Sequence, residues 1–190
     1  MNIYIMGPVG SGKSTVSELL ASKLNRKLIP EFETTDLTFH RLLEERNMTN
    51  TRKSKINFQY YTFEQAYRRQ FGQDNCVIDT PIQQHLLMAC NSLKHEDYLE
   101  YLDHFVDYIA NLKSTQYDIT IILNLPYELT LERIKYRGRT EEKLSEEELN
   151  FYKGFYDSLY RNSKDCILVD ATKTPEEIVN SIISIMQKHN

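Results

Sequence analysis

The sequence has little of several features that would place it in other protein classes. It holds only six glycines and three cysteines in 190 residues, and its net charge is −4. Three cysteines that lie far apart favour buried thiols over a disulfide framework or a metal site. The slight negative charge gives no general attraction to nucleic-acid polymers, so any polyanion would have to bind at a local site.

Long hydrophobic runs are also absent. The longest apolar stretches, such as Ile119–Leu125, have the length of a strand and are too short to cross a bilayer. The chain opens in an apolar, strand-like segment, without the basic and hydrophobic regions of a signal peptide. We therefore expect no membrane association and a cytoplasmic location. A length of 190 residues is most simply one domain, residues 1–190.

What the sequence does contain is a regular alternation of strand-like and helical patterns. The strand-like runs are Asn2–Met6, Lys27–Ile29, Cys76–Asp79, Asp118–Leu125 and Cys166–Asp170. The helical patterns are Lys13–Leu24, Thr35–Arg46, Ser54–Phe71, Ile82–Ser92, His95–Leu112, Tyr127–Arg137, Ser145–Ser163 and Thr174–Lys188. Near-continuous apolar strands between helices predict an α/β fold, with a five-stranded parallel sheet buried between helices.

Half of the six glycines lie in one short segment after the first strand. Gly7-Pro8-Val9-Gly10-Ser11-Gly12-Lys13-Ser14-Thr15 matches the phosphate-binding pattern G-x-x-x-x-G-K-[ST]. In this pattern, backbone N–H groups at the start of a helix surround a phosphate. Lys13 can then reach the β- and γ-phosphates of a nucleotide, and the Ser14 hydroxyl can bind Mg²⁺. The nucleotide-binding residues predicted here are Gly7, Val9, Gly10, Ser11, Gly12, Lys13, Ser14 and Thr15. The fold expected is the three-layer P-loop NTPase sandwich.

Acidic residues lie at or just after the ends of three of the other predicted strands. Ligands of such sheets bind beyond the carboxyl ends of the strands. Glu31 is therefore a candidate base toward an attacking hydroxyl, or a surface acid beside a proline turn. Asp79 is a candidate ligand of Mg²⁺ opposite Ser14, or a helix N-cap. Asp170 either borders the nucleotide or belongs to a plain turn.

A cluster of arginines follows the fourth strand. Arg133 and Arg137 are four residues apart and share one face of a helix, and Arg139 follows a glycine. Mobile cations that close over phosphates neutralise the charge that develops during phosphoryl transfer. The pattern predicts an arginine-bearing lid at about 137–145, although a solvated basic face is the alternative.

The long helix from Ser54 carries a glutamine among aromatic residues. An amide can pair with two groups on the edge of a base while an aromatic ring stacks on it. Phe58 and Gln59 are therefore candidates for binding a base.

Taken in order, these residues resemble the deoxynucleoside kinase family. The resemblance rests on Gly7–Thr15, Glu31, Asn57-Phe58-Gln59, Asp79 and the segment from Arg133 to Glu142. It implies that Glu31 is the general base toward the 5′-hydroxyl of a deoxynucleoside. It further implies that Gln59 and Phe58 bind the base, that Glu142 binds the 3′-hydroxyl, and that Arg133, Arg137 and Arg139 serve the phosphates. It also implies a homodimer formed through helices of the region 82–112.

Two positions depart from the family pattern. Thr80, followed by Pro81, stands where the family has arginine, and His85 stands where the family often has an acid that helps to read the base. The first change removes a cation near the catalytic acid. The second places His85 among the expected substrate-binding residues and leaves the preferred base open.

The sequence is compatible with three functions. The leading one is a kinase that moves the γ-phosphate of ATP to the 5′-hydroxyl of a deoxynucleoside. A nucleoside monophosphate kinase would use Arg68 and Arg69 to hold the acceptor phosphate, and a non-catalytic ATP-binding module would hold ATP without turnover. A GTP switch is disfavoured, because Asn124-Leu125-Pro126-Tyr127 and Asp79-Thr80-Pro81-Ile82 lack the residues that such proteins use.

Overall fold

The structure is a computed structural model that describes residues 1–33, 35–110, 118–137 and 146–189, without the side chains of residues 109, 137, 188 and 189. Two compact units emerge. The first comprises Met1–Pro30, Asp74–Thr80 and Tyr117–Asn190, and the second comprises Glu31–Gln73 and Pro81–Gln116. The prediction that the whole chain is one kinase domain stays a prediction. Most of the predicted lid at 137–145 lies outside the described residues.

The first unit contains a five-stranded, fully parallel sheet. Its strands are β1 (Ile3–Met6), β2 (Lys27–Ile29), β3 (Cys76–Asp79), β4 (Ile119–Asn124) and β5 (Cys166–Asp170). Their order across the sheet is β2-β3-β1-β4-β5. The connections therefore run to one side of β1 and then to the other, which makes the carboxyl end of β1 the switch point where ligands bind in such sheets.

Nine helices connect these strands within the described part of the chain. They are α1 (Lys13–Leu24), α2 (Leu37–Thr49), α3 (Arg52–Gln70), α4 (Ile82–Ser92), α5 (His95–His104), α6 (Val106–Ala110), α7 (Tyr127–Arg137), α8 (Glu146–Asn162) and α9 (Pro175–His189). Helices α1, α7, α8 and α9 belong to the first unit, and α2 to α6 form the second. None of the described helices combines the length and the apolar character needed to cross a membrane.

The main core of the first unit lies on one face of the sheet. Ile3 and Ile5 of β1 are fully buried there, in one cluster with Leu20 of α1 and Ile182 of α9. Alternate residues point to the opposite face, where Ile78 packs in a separate cluster with Ile29. Burial on both faces explains the near-continuous apolar strands. The predicted α/β P-loop fold, with a five-stranded parallel sheet flanked by helices, is confirmed.

The second unit is built around an aromatic cluster, and here one sequence prediction is wrong. A single helix was expected over 95–112, but the chain breaks at Phe105 between α5 and α6. The ring of Phe105 is buried and lies 4.2 Å from the ring of Phe63, centroid to centroid, and 4.9 Å from that of Tyr101. Tertiary packing of this ring therefore accompanies the break, and helical periodicity in the sequence does not reveal it.

Candidate active site

The phosphate loop joins β1 to α1 through glycines, of which Gly7 has no room for a side chain and Gly12 has a backbone conformation that side chains disfavour. A Cβ atom at Gly7 would lie 2.9 Å from the carbonyl oxygen of Leu123 and 2.8 Å from the Oγ of Ser11. Gly12 is the N-cap of α1 and has a φ of 90°, a conformation that favours glycine. The loop can therefore keep this shape only with glycine at these two positions.

The charged end of Lys13 lies over this loop. Its Nζ donates to the carbonyl oxygens of Gly7, at 3.1 Å, and of Pro8, at 3.2 Å. These contacts hold the ammonium group beside the backbone that the pattern assigns to phosphate binding. Phosphate oxygens can accept the same donors, so the position fits the predicted contact with ATP.

Asp79 closes the other side of this site at the end of β3. Its side chain is only 3% exposed, and burial raises the pKa of its carboxyl group. The charge of Lys13 and hydrogen bonds from the hydroxyls of Ser14 and Thr80 act in the opposite direction. The alternative role as a helix cap is not observed, since Pro81 is the N-cap of α4.

The pairing of Ser14 with Asp79 fits the predicted Mg²⁺ site. A hydroxyl and a carboxylate are oxygen ligands of the kind Mg²⁺ takes, and a cation would compensate the buried charge of Asp79. Within the described ranges there is no group of three or more His, Cys, Asp or Glu residues able to hold a metal. In kinases, Mg²⁺ usually takes water and substrate phosphates as its other ligands.

Thr80, the residue that departs from the family pattern, has an unusual backbone. Its φ is 56°, its side chain is fully buried, and its N–H donates to the carbonyl oxygen of Ile5 at 3.1 Å. A β-branched residue in this region is an outlier, and such strain costs on the order of 1–3 kcal/mol. The sequence identified the missing charge at this position but not the conformation.

Two side chains from distant elements support the phosphate loop. Arg133 of α7 donates to the carbonyl oxygens of Gly10, at 3.4 Å, and of Ala171, at 3.0 Å. The hydroxyl of Tyr156 on α8 donates to the carbonyl oxygen of Gly7 at 3.0 Å. Arg133 was expected at the phosphates and lies next to their loop. The role of Tyr156 was missed, because 149 residues separate it from Gly7.

Asp170 lies in a turn. Its Oδ1 accepts hydrogen bonds from the backbone N–H of Thr172, at 2.9 Å, and from the Thr172 hydroxyl, at 2.7 Å. These bonds favour the charged carboxylate and lower its pKa. The geometry matches the turn alternative, and its predicted contact with the nucleotide stays a prediction.

The second unit gathers the residues predicted to bind a base. Phe58 and Gln59 of α3 and His85 of α4 are all buried there. The ring of Phe39 lies 5.7 Å from that of Phe58 and stacks at 4.4 Å on that of Phe32. Sequence reasoning missed Phe32 and Phe39, because their spacing in a short loop and an amphipathic helix is not distinctive.

Glu31 begins this second unit, in a loop that is held by a residue of α3. The guanidinium of Arg69 donates from Nη2 to the carbonyl oxygen of Glu31. Arg68, its neighbour, points elsewhere and forms an ion pair with Glu64 one turn back on the same helix. The two arginines that a monophosphate kinase would use are therefore both engaged by groups of the protein.

Arg139 and Glu142 lie outside the described residues, and only the backbone of Arg137 is described, at the end of α7. Their predicted roles at the phosphates and the sugar stay predictions.

The phosphate loop of the first unit, and Glu31 and Gln59 of the second, are features on which the family resemblance rests. A family model described as deoxynucleoside kinase matches residues 3–184. The chain belongs to the deoxynucleoside kinase family. It is therefore an ATP-dependent deoxynucleoside kinase, as the sequence predicted.

The relatives of this chain have names that refer to different kinase activities. A Thermococcus kodakarensis protein named "Putative adenylate kinase" is 28% identical over 190 residues, which cover 99% of this chain and 86% of that protein. A deoxyguanosine kinase from Lactobacillus acidophilus is 24% identical over 192 residues, covering 90% and 81%. Deoxyadenosine kinase from M. mycoides, in a structure with dCMP and dCDP bound, superposes with a TM-score of 0.77, at 24% identity over the full length of both chains. This last likeness shows the fold.

Proposed function

We propose that this kinase transfers the γ-phosphoryl group of ATP to the 5′-hydroxyl of a deoxynucleoside, with Glu31 as the general base. The observation that carries the proposal is the charge around the loop after β2 that contains Glu31, which we call the acceptor loop. The guanidinium of Arg69 is attracted by the carboxylates of Glu33, Asp36 and Glu31. Three acids around one engaged cation suit a neutral hydroxyl acceptor better than a phosphate dianion.

The first unit supplies the groups for the phosphoryl donor. In the proposal, the backbone of Gly7–Thr15 and the ammonium of Lys13 bind the phosphates of ATP. Ser14 and Asp79 hold Mg²⁺, which, when bound, neutralises negative charge on the β- and γ-phosphates. Arg133 keeps the loop in shape through Gly10. Arg137 and Arg139 complete the proposal as lid residues over the phosphates.

The second unit supplies the groups for the acceptor. Gln59 offers both a donor and an acceptor to the edge of a base, and Phe58 offers a ring on which a base can stack. His85, buried on α4 of the same unit, takes the place of an acid as a selector among bases. Glu142 is assigned to the 3′-hydroxyl by the family resemblance.

Monophosphate phosphorylation is the second candidate. The name of the Thermococcus relative favours it, since an adenylate kinase uses a monophosphate as acceptor. Against it stands the structure of α3, where Arg68 pairs with Glu64 and Arg69 is held by the Glu31 loop. An acceptor phosphate would therefore share these cations with Glu64 and with the carboxylates around Arg69.

The proposal also includes a cytoplasmic location and a homodimer. The three cysteines are free thiols, which agrees with a reducing, cytoplasmic location. A homodimer through the region 82–112 would cover exposed apolar side chains there, including Leu99 of α5 and Val106 of α6.

The role of Glu31 is tested by Glu31→Gln, with Glu33→Gln as a matched control from the same loop. Loss of a general base lowers turnover by about 10²–10⁴-fold, so kcat should fall by that range in Glu31→Gln while ATP still binds in a calorimetric titration. Glu33→Gln should keep a kcat near that of the wild type. Unchanged turnover in Glu31→Gln would remove this residue from the mechanism.

A further inference from the structure

Arg69 lies on the last turn of α3, but its guanidinium group binds a loop that is distant in the sequence. It points from α3 back to the loop after β2, where its Nη2 donates to the main-chain carbonyl of Glu31. Burial lowers the pKa of this guanidinium, which nevertheless stays charged because arginine starts far above neutral pH. The contact joins residues that lie 38 positions apart in the sequence.

Acidic groups surround Arg69, and one of them is itself held in place by hydrogen bonds. The carboxylates of Glu33, Asp36 and Glu31 and the hydroxyl of Tyr61 all act on its charge. Asp36 is fixed in turn, because it accepts a hydrogen bond from the Tyr61 hydroxyl at 2.8 Å and also caps the start of α2. The acceptor loop, α2 and α3 are therefore tied together around one guanidinium.

One donor of Arg69 is not used within the described part of the chain. Its Nε–H is buried and has no hydrogen-bond partner there. A buried donor left without a partner costs about 1–3 kcal/mol. Such a group calls for an explanation, and a bond to the Glu31 carboxylate that forms when the acceptor is bound would provide one.

We propose that Arg69 is a positioning residue for phosphoryl transfer, which fixes the main chain at Glu31 and supplies the positive charge beside its carboxylate. This inference rests on the proposed function, because it acts through Glu31 as general base. In this proposal the cation near the general base comes from α3. The family pattern has an arginine after Asp79 instead, but this chain has the uncharged Thr80 there. Arg69 does not contact the phosphates in this role.

The test compares Arg69→Gln and Arg69→Lys with Arg68→Gln, which removes the adjacent, exposed arginine of the same helix. The measurements are kcat and KM for deoxynucleoside and for ATP, and the dependence of kcat on pH. Arg69→Gln should lower kcat about tenfold or more through the misplaced base, with KM for ATP near the wild-type value. Its acid limb should move to higher pH, because a carboxylate that loses a neighbouring cation is harder to ionise.

Arg69→Lys should restore the acid limb, because lysine keeps the charge, but not the full kcat, because it lacks the planar fork of arginine. Arg68→Gln should resemble the wild type. The proposal is overturned by a folded Arg69→Gln with wild-type kcat, or by one that loses kcat without any shift of the acid limb. If circular dichroism shows that Arg69→Gln does not fold, Arg69→Lys decides: full kcat or a shifted acid limb overturns the proposal.

Failure of this inference is distinguishable from failure of the proposed function. An inactive Glu31→Gln together with a normal Arg69→Gln rejects only the role of Arg69. An active Glu31→Gln rejects the general base and the inference that depends on it. If Arg69→Gln instead raises KM for a monophosphate acceptor and leaves kcat unchanged, Arg69 binds an acceptor phosphate, and both assignments are wrong.

Discussion

Replacement of Asp79 by asparagine is expected to stabilise the protein and, at the same time, to remove most of its kinase activity. The carboxyl group is 3% exposed, and burial is the largest influence on its pKa, which is raised. In the absence of a metal ion, the charged form is therefore less favourable in the folded chain than in the unfolded one. Asparagine has nearly the same shape and carries no charge to desolvate.

The sign of the pH dependence follows from the raised pKa. Wild-type Asp79 is protonated in both states at pH values below its unfolded pKa, so the two proteins should differ least there. As the pH rises through the folded pKa, the wild type loses stability that Asp79→Asn retains. For a chain of this size, about 1 kcal/mol of added stability raises Tm by roughly 2–4 °C. A Tm gain on that order is expected at pH 7.

The assay is thermal unfolding of the metal-free protein between pH 3 and 8, run beside steady-state turnover with Mg²⁺ and ATP. Removal of a metal ligand should lower kcat by about 10²-fold, as expected if several kcal/mol of metal-dependent stabilisation is impaired. Asp170→Asn is the matched control, because the Asp170 pKa is lowered by its bonds to Thr172. That variant should lose stability at pH 7, where Asp79→Asn should gain it. An Asp79→Asn protein less stable than the wild type at pH 7 would show that burial of the Asp79 carboxylate does not destabilise the fold.

Two substitutions around the phosphate loop give further predictions. Gly7→Ala should abolish ATP binding in a calorimetric titration, because its Cβ would meet the backbone oxygen of Leu123 at 2.9 Å, and measurable ATP binding by this variant would contradict that expectation. The control is Gly154→Ala, in open space on α8, which should be more stable than the wild type by about 1 kcal/mol. Tyr156→Phe removes the bond to the Gly7 carbonyl, which is worth about 0.5–1.5 kcal/mol, so Kd for ATP should rise about 2–10-fold; an unchanged Kd would show that this bond does not support the loop.

The strands and the phosphate loop could be predicted because local sequence determines them. The bounds of β2, β3 and β5 agree with the apolar runs, and glycine spacing defines the loop before α1. Residues at or near strand ends, such as Asp79 and Glu31, could be found for the same reason, since strand ends mark the ligand edge of a parallel sheet.

Other parts of the site depend on contacts between distant residues. Nothing near Arg69 in the sequence indicates that it holds the loop of Glu31, and nothing near Tyr156 indicates a bond to Gly7. The positive φ of Thr80 is likewise imposed by its surroundings, because threonine by itself disfavours that conformation. These features follow from packing, which single-sequence patterns do not encode.

The central claim is that the acceptor is the 5′-hydroxyl of a deoxynucleoside. Its most direct test is mass spectrometry of the products formed from ATP and Mg²⁺ with each of the four deoxynucleosides, and separately with each of their 5′-monophosphates. On this assignment, at least one deoxynucleoside should be converted to its 5′-monophosphate, and Glu31→Gln should lose this product. Formation of diphosphates from the monophosphates, with no product from any deoxynucleoside, would contradict it.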